Sequence, residues 1–382
     1  MERTLYNEEH DLFRESVRTF FEREVVPHHQ LWEDYGLVPL ELFTKAGASG
    51  LLGFQVPESY GGGGIADFRF NAIVGEEACY AGVASAGLSL TLHNDICLPY
   101  FTNYTTDAQK QRWLPGIASG DLVTAVAMTE PGAGSDLAGI RTTAERDGDN
   151  YLVNGSKTFI SNGINADLVV VAVKTDPSRR HTGVSLLVVE SGMTGFTRGR
   201  NLEKIGLKAQ DTAELAFQDL RIPMENLLGA EGDGFEIMMA NLAQERLSIA
   251  VAGVAAARAA VHWTLEYVRQ RTAFGRAIGD FQNSKFVLAE CDTEVTVAEQ
   301  FVDRCILALN DDALSAPDAA RAKWWCTELQ KRVVDRCLQL FGGYGYMREF
   351  PIARAYADAR ITTIYGGTTE IMKTIIAKDL QL

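Results

Sequence analysis

The sequence predicts a mainly helical α+β chain of 382 residues: a helical domain, then a β domain, then a helical bundle. Three observations predict it. Apolar residues recur at helical spacing near the N-terminus and again, over much longer stretches, after about residue 229. Between them lie continuous valine-rich runs separated by Asp-Gly and Asn-Gly turns, the pattern of strands. No G-x-G-x-x-G follows a first strand, which argues against a nicotinamide-binding Rossmann domain.

Residues 1–122 are expected to form the first, α-helical domain. Leu12, Val17, Phe20, Phe21 and Val25 recur at roughly helical spacing and stop at Pro27. Gly61-Gly62-Gly63-Gly64 reads as a flexible break, and Phe70–Tyr80 and Val83–His93 as further apolar helices. Residues 123–228 are expected to form a barrel or sandwich. Leu168–Val173 and Val184–Val189 are its clearest strands, with turns at Asp147-Gly148, Asn154-Gly155 and Asn162-Gly163. Residues 229–382 are expected to form the bundle, with helices over Phe235–Arg271, Phe281–Leu309 and Pro317–Leu340. Ala250, Ala252, Gly253, Ala255, Ala256 and Ala257 on the first of these predict close antiparallel packing.

Composition narrows the function. The net charge is −14, which disfavours nucleic acid and anionic membrane as partners. The six cysteines, with no C-x-x-C pair, predict buried thiols in a reducing compartment. The histidines have no metal-ligand spacing, so no metal is expected. The charged N-terminus resembles neither a signal peptide nor an acid-poor transit sequence, and no apolar run reaches the ~20 residues of a bilayer span. The expected location is cytoplasmic, or organellar after loss of a presequence.

Five segments carry candidate chemistry. Met128-Thr129-Glu130-Pro131-Gly132-Ala133-Gly134-Ser135-Asp136 is a loop whose N–H groups suit an anion or a carbonyl-rich ring; a plain surface turn has the same composition. Lys157–Gly163 is a strand entering an Asn-Gly turn, and on local grounds Phe159 reads as a core aromatic. Arg271-Thr272-Ala273-Phe274-Gly275-Arg276, followed by Phe281-Gln282, offers an arginine fork suited to pyrophosphate, or a cationic helix C-terminus stopped by Gly275. Gln339–Tyr346 has glycines at 342, 343 and 345, open to a ligand's approach or merely a flexible link. Glu245 sits about three turns into the long helix, where a glutamate beside Arg246 ordinarily faces solvent.

The run Ile364-Tyr365-Gly366-Gly367-Thr368-Thr369-Glu370 resembles the C-terminal signature of the acyl-CoA dehydrogenases, Tyr-Glu-Gly-Thr-Ser-Glu. Gly366 stands where most of that family carries its catalytic glutamate. Leu242-Ala243-Gln244-Glu245-Arg246-Leu247 resembles the long-chain and isovaleryl branches, whose base lies on this helix. The resemblance spans essentially the whole chain. It implies the family's three-domain fold, ending in a four-helix bundle, with FAD as cofactor. Met128, Thr129 and Ser135 would contact the flavin, and Ser135 the substrate as well. Phe159 and Ser161 replace the family's Trp-Ile-Thr, keeping an aromatic face and a hydroxyl. Arg271, Phe274 and Gln282, with Gln339, Gly342 and Gly343, would reach the FAD of a neighbouring subunit in a homotetramer built as a dimer of dimers. Thr368, Thr369 and Glu370 complete the flavin contacts, and Arg246 and Gly367 lie on the substrate side.

The implied reaction is α,β-dehydrogenation of an acyl-CoA to a trans-2-enoyl-CoA. Glu245 would take the α-proton, and the Gly366 N–H and the FAD ribityl hydroxyl would hold the thioester oxygen. The β-hydride would pass to flavin N5, and the electrons to an electron-transferring flavoprotein. An acyl-CoA oxidase is the near alternative. A non-catalytic homologue, stabilised by flavin and binding acyl-CoA or a partner, is the distant one, and the intact Glu245 counts against it.

Overall fold

The computed structural model describes residues 3–382; Met1 and Glu2, which open the charged N-terminus, lie outside them. The first helix, Glu8–Phe20, begins at a reciprocal cap. Asn7 Oδ1 accepts the His10 N–H at 3.3 Å, and His10 Nδ1 accepts the Asn7 N–H at 3.4 Å. It runs into a π-helical turn, Phe21–Val25. Val17, Phe20, Phe21 and Val25 enter one core with Phe43, Phe54, Phe70 and Ile73. Leu12 does not; it is 61% exposed. The glycine run is not a free hinge either. Gly63 and Gly64 donate to the carbonyls of Gly53 and Val56, and a Cβ on Gly62 would come within 2.3 Å of Val56. The segment is folded back tightly, and at Gly62 there is no room for a side chain.

Helices Phe68–Tyr80 and Ala84–Thr91 follow, the second passing through a π-helical segment, Leu92–Cys97, into Leu98–Asn103. Next comes the sheet. Its strands are β1 (Thr124–Ala127), β2 (Thr143–Asp147), β3 (Asn150–Ser161), β4 (Leu168–Lys174), β5 (Val184–Glu190), β6 (Phe196–Asn201), β7 (Thr212–Pro223) and β8 (Leu227–Leu228). They hydrogen-bond in the order β6-β7-β3-β2-β4-β5-β8, with β1 parallel to β4. The hydrogen-bonded path is open at β6 and β8, so the expected barrel or sandwich is not a ring closed by strand pairing. The valine runs are uninterrupted because β4 is covered on both faces. Val169, Val171 and Val173 fill the sheet's own core; Leu168, Val170 and Ala172 pack with Tyr100, Phe101 and Trp113 of the helical layer.

The bundle is built on Gly234–Gln270, which packs along Ala316–Phe341, Gln282–Asn310 and Phe68–Tyr80. Its small residues do what their spacing predicts: a Cβ on Gly253 would lie 3.3 Å from the Cys326 carbonyl. All six cysteines are free and buried. Gly234–Gln270 is long and apolar enough to cross a bilayer, but 72% of its most apolar stretch is buried inside the protein, as befits a bundle core.

Candidate active site

Glu245 is buried, at 6% exposure, where the local reading placed it in solvent. Its partner is Tyr100, fully buried in Leu98–Asn103, whose hydroxyl donates to Glu245 Oε1 at 3.1 Å. Burial pushes the Glu245 carboxyl up to about 7, against the Tyr100 bond and the Arg246 charge, which pull it down. Burial likewise drives the Tyr100 phenol well above its ordinary range, so it remains a donor.

The Tyr365–Thr368 loop lies over the same face of the long helix. Gly366 and Gly367 hold φ of +62° and +97°, a conformation L side chains resist. A Cβ on Gly366 would meet Ile249 Cδ1 at 2.4 Å, and Ile249 is one turn after Glu245. Two cations hold the loop's carbonyls. Arg246 Nε donates to Gly366 O at 3.4 Å, and Lys323 Nζ donates to Gly367 O at 2.6 Å. Lys323 is fully buried, and burial, then Arg246, lowers its ammonium to about 8. Among the described residues the Gly366 N–H has no acceptor. With these carbonyls pinned, the loop presents a free donor over the Arg246–Ile249 turn that follows Glu245. Arg246, expected on the substrate side, is thus turned toward the loop's backbone. Thr368 caps the last helix by accepting the Ile371 N–H, and Thr369 Oγ1 donates to Glu328 Oε1 at 3.0 Å. Glu370 is exposed in the first turn.

The Met128–Asp136 loop is fixed by a buried ion pair. Lys157 Nζ, fully buried on β3, donates to Glu130 Oε1 at 2.9 Å and to Met128 O at 3.1 Å. Glu130 also accepts the N–H groups of Arg141 and Thr142, at 2.6 and 2.9 Å. The Thr158 N–H donates to Thr129 O at 2.9 Å, tying the loop to β3. Ser135 is exposed, and Ser161 half-buried. Phe159 corrects the local reading. It sits where β3 loses register with β7, at φ +60°, and its ring is 68% exposed rather than in the core.

A second group lies at the end of the bundle. The long helix stops at Gln270, so Gly275 does not end it as expected. Thr272–Ala273 and Arg276–Ala277 pair as a hairpin whose turn is Phe274 (φ +52°) and Gly275 (φ +80°), the primed-turn geometry. Phe274 is 95% exposed and touches Phe281 edge-on. The Arg271 guanidinium lies 5.5 Å from the Tyr344 ring centroid. Gln282 opens the next helix, and Gln339 is exposed just before the Gly342–Tyr346 turn. A Cβ on Gly342 or Gly343 would meet nothing within 4 Å, so their backbone is open to a ligand. Among the described residues no hydrogen bond or ion pair joins this group to Glu245 or to the Met128–Ser161 group. Sequence reasoning missed Tyr100 and Lys323. Each is a polar tip inside an apolar helix, which is a weak signal by itself.

Three family models match in chain order: the acyl-CoA dehydrogenase N-terminal domain over residues 7–121, the middle domain over 125–220 and the C-terminal domain over 232–381. The chain is 49% identical over 380 residues to the mitochondrial long-chain specific acyl-CoA dehydrogenase of Sus scrofa, covering 99% of this chain and 88% of that one. It is similar to the crystal structure of acyl-CoA dehydrogenase from Geobacillus kaustophilus, with a TM-score of 0.97, 51% identity and full coverage of both chains. A glutaryl-CoA dehydrogenase from Mycobacterium smegmatis, solved in complex with FADH2, superposes with a TM-score of 0.92 at 25% identity, over 98% of this chain and 95% of that one. The fold, the family matches and the whole-length identity agree: the chain belongs to the acyl-CoA dehydrogenase family of oxidoreductases.

Proposed function

We propose that this chain binds one FAD and dehydrogenates an acyl-CoA thioester to the trans-2-enoyl-CoA, with Glu245 as the base. The observation that carries the reading is the buried pairing of Glu245 with Tyr100 on the helix over which the loop with the free Gly366 N–H packs. In the ionised form Glu245 accepts the α-proton. Tyr100 occupies Oε1, which leaves Oε2 to take it. The Gly366 N–H donates to the thioester oxygen as negative charge gathers there, and that role needs no side chain. Arg246 and Lys323 hold the Gly366 and Gly367 carbonyls away from that oxygen.

The residues expected at the cofactor fit a flat, anionic group. Phe159 offers an exposed ring, Ser161 and Ser135 accessible hydroxyls, and Gly342 and Gly343 open backbone. Arg271 supplies a cation suited to pyrophosphate. Met128, Thr129, Gln282, Gln339, Thr368, Thr369 and Glu370 complete the proposed contacts, with Ser135 and Gly367 also facing substrate. When bound, FAD supplies the two-electron acceptor for the hydride leaving the β-carbon. The Arg271–Gln282 and Gln339–Gly343 group is proposed to complete the FAD site of a neighbouring copy, in a homotetramer made as a dimer of dimers. The proposed units are residues 1–122, 123–228 and 229–382, the location cytoplasmic or organellar, and the electron acceptor an electron-transferring flavoprotein.

The test mixes the yellow holoenzyme anaerobically with acyl-CoAs from butyryl to palmitoyl, isovaleryl included. Bleaching of the flavin absorbance with formation of the enoyl-CoA is the expected result. A protein that stays oxidised with every member is not a dehydrogenase of these thioesters. Rapid recolouring in air with hydrogen peroxide release would make it an oxidase.

A further inference from the structure

The face of the long helix that carries Glu245 also carries Ser248 and Ala252, at 100° per residue. Against Ser248 stands a group the proposed chemistry does not use. Asp95, in the π-helical segment Leu92–Cys97, is buried at 3% exposure. Ser248 Oγ donates to Asp95 Oδ2 at 2.6 Å, and Asn71 Nδ2 donates to Asp95 Oδ1 at 2.8 Å. Gln244, next to Glu245, donates to the Asp95 backbone carbonyl at 2.8 Å. Among the described residues no cation pairs with Asp95. A buried carboxyl without a cation is costly, and a well-packed leucine would serve the fold better.

Asn71 adds a second, independent sign. It is 1% exposed on Phe68–Tyr80, and its Oδ1 has no hydrogen-bond partner. With Asp95 ionised its oxygens only accept, so the Asn71 amide nitrogen faces it and Oδ1 points away. So Oδ1 is an acceptor in want of a donor. Asp95 and Tyr100 belong to one continuous helical stretch, and both reach the long helix, at Ser248 and Glu245 respectively. Ser248 lies three residues from the base, about 4.5 Å of helix rise.

We propose that Asn71, Asp95 and Ser248 form a polar subsite on the acyl side of Glu245 that accepts a hydroxyl group carried by the substrate's acyl chain. The inference rests on the acyl-CoA dehydrogenase reading above. The CoA end is excluded as occupant because a nucleotide must reach solvent, while Asn71 and Asp95 are enclosed. The ligand hydroxyl donates to Asn71 Oδ1, while Ser248 keeps its own proton on Asp95 Oδ2. An unsubstituted chain would leave Asn71 Oδ1 unpaired, and that is the strongest kind of discrimination a pocket makes.

The experiment uses the FAD-loaded enzyme and a series of ω-hydroxyacyl-CoAs from hydroxybutyryl to hydroxydecanoyl, each against its unsubstituted counterpart. At one chain length the hydroxyacyl-CoA is expected to have a kcat/KM at least about tenfold higher. Asp95→Leu should reverse that ratio in favour of the plain chain, and Asp95→Asn should keep part of it. If Asp95→Leu does not fold, Ser248→Ala reads the same ratio, with a smaller fall. Equal or faster turnover of the plain chain at every length overturns the subsite, as does an unchanged ratio in folded Asp95→Leu or in Ser248→Ala. Failure of every acyl-CoA to bleach the flavin instead removes the dehydrogenase reading, and the subsite with it.

Discussion

The corner around Glu245 and the rim around Phe159 and Phe274 are built in opposite ways. At the corner every group is enclosed. Glu245, Tyr100 and Lys323 are buried, and the glycine loop is pinned at both of its carbonyls. At the rim two phenylalanines stand 68% and 95% exposed, both at positive φ, with open glycines nearby. A buried carboxyl is useful as a base because desolvation raises its proton affinity. An exposed aromatic in a strained conformation costs the isolated chain and brings it little packing, for Phe274 an edge contact with Phe281. The difference teaches that a single chain encloses the proposed base by itself, while the proposed cofactor residues stand open for a ligand or a neighbouring copy to cover.

The sharpest way to break this comparison is to remove the proposed base. Glu245→Gln should keep FAD and cut the rate of flavin reduction by roughly a hundredfold or more, since an amide cannot accept the α-proton. Near-normal reduction in that variant would move the base elsewhere. The pH profile examines the same corner without mutation. Glu245 must be ionised, and burial holds it at about 7. The rate should therefore rise with pH, about tenfold per unit below that value, and level off above it. A profile flat from pH 5.5 to 8 would mean the base titrates as an ordinary carboxylate.

Rim variants should behave differently. Arg271→Ala is expected to leave the pH profile in place but to weaken FAD retention by about tenfold, with loss of the proposed tetramer at high dilution, because it removes the charge proposed to hold pyrophosphate. A monomer that holds FAD as tightly as the wild type would contradict the shared site. Smaller still, Ser135→Ala or Ser161→Ala should each cost about 1 kcal/mol of flavin affinity or turnover while the fold persists. An unchanged flavin spectrum and rate in the double variant would displace both segments from the cofactor.

The same contrast governs what the sequence made legible. The strands Leu168–Lys174 and Val184–Glu190 and the long bundle helices are readable because burial on their faces imposes an apolar pattern on neighbouring residues. The proposed exchange of Gly366 for Glu245 is readable because each sits in a local motif. Tyr100 is not, since 145 residues separate it from its partner. Lys323 and Lys157 look like surface lysines, and only the tertiary fold buries them. Phe159 misleads local reasoning for the converse reason. A break in strand register turns its ring outward, and no pattern of period two announces that.

The smallest expected effect tests whether Gly366 and Glu245 address one carbon from two backbones. In Glu245→Gln, adding Gly366→Glu relocates the carboxylate to the loop. The structure opposes this in two ways: φ is +62° at Gly366, and a Cβ there would lie 2.4 Å from Ile249 Cδ1. The first strains any L residue, at about 1–3 kcal/mol. The second is a clash with the tip of a flexible side chain, which a smaller residue relieves. Rescue should accordingly be a few-fold at most in the double variant and larger once Ile249→Ala is added, because catalytic geometry is lost over ~1 Å. Single-turnover flavin reduction measures it directly. If Ile249→Ala leaves the double variant as slow as Glu245→Gln alone, while the triple variant folds and holds FAD, the loop's side-chain direction points away from the substrate. The exchange between the two positions would then be a matter of lineage and not of shared geometry.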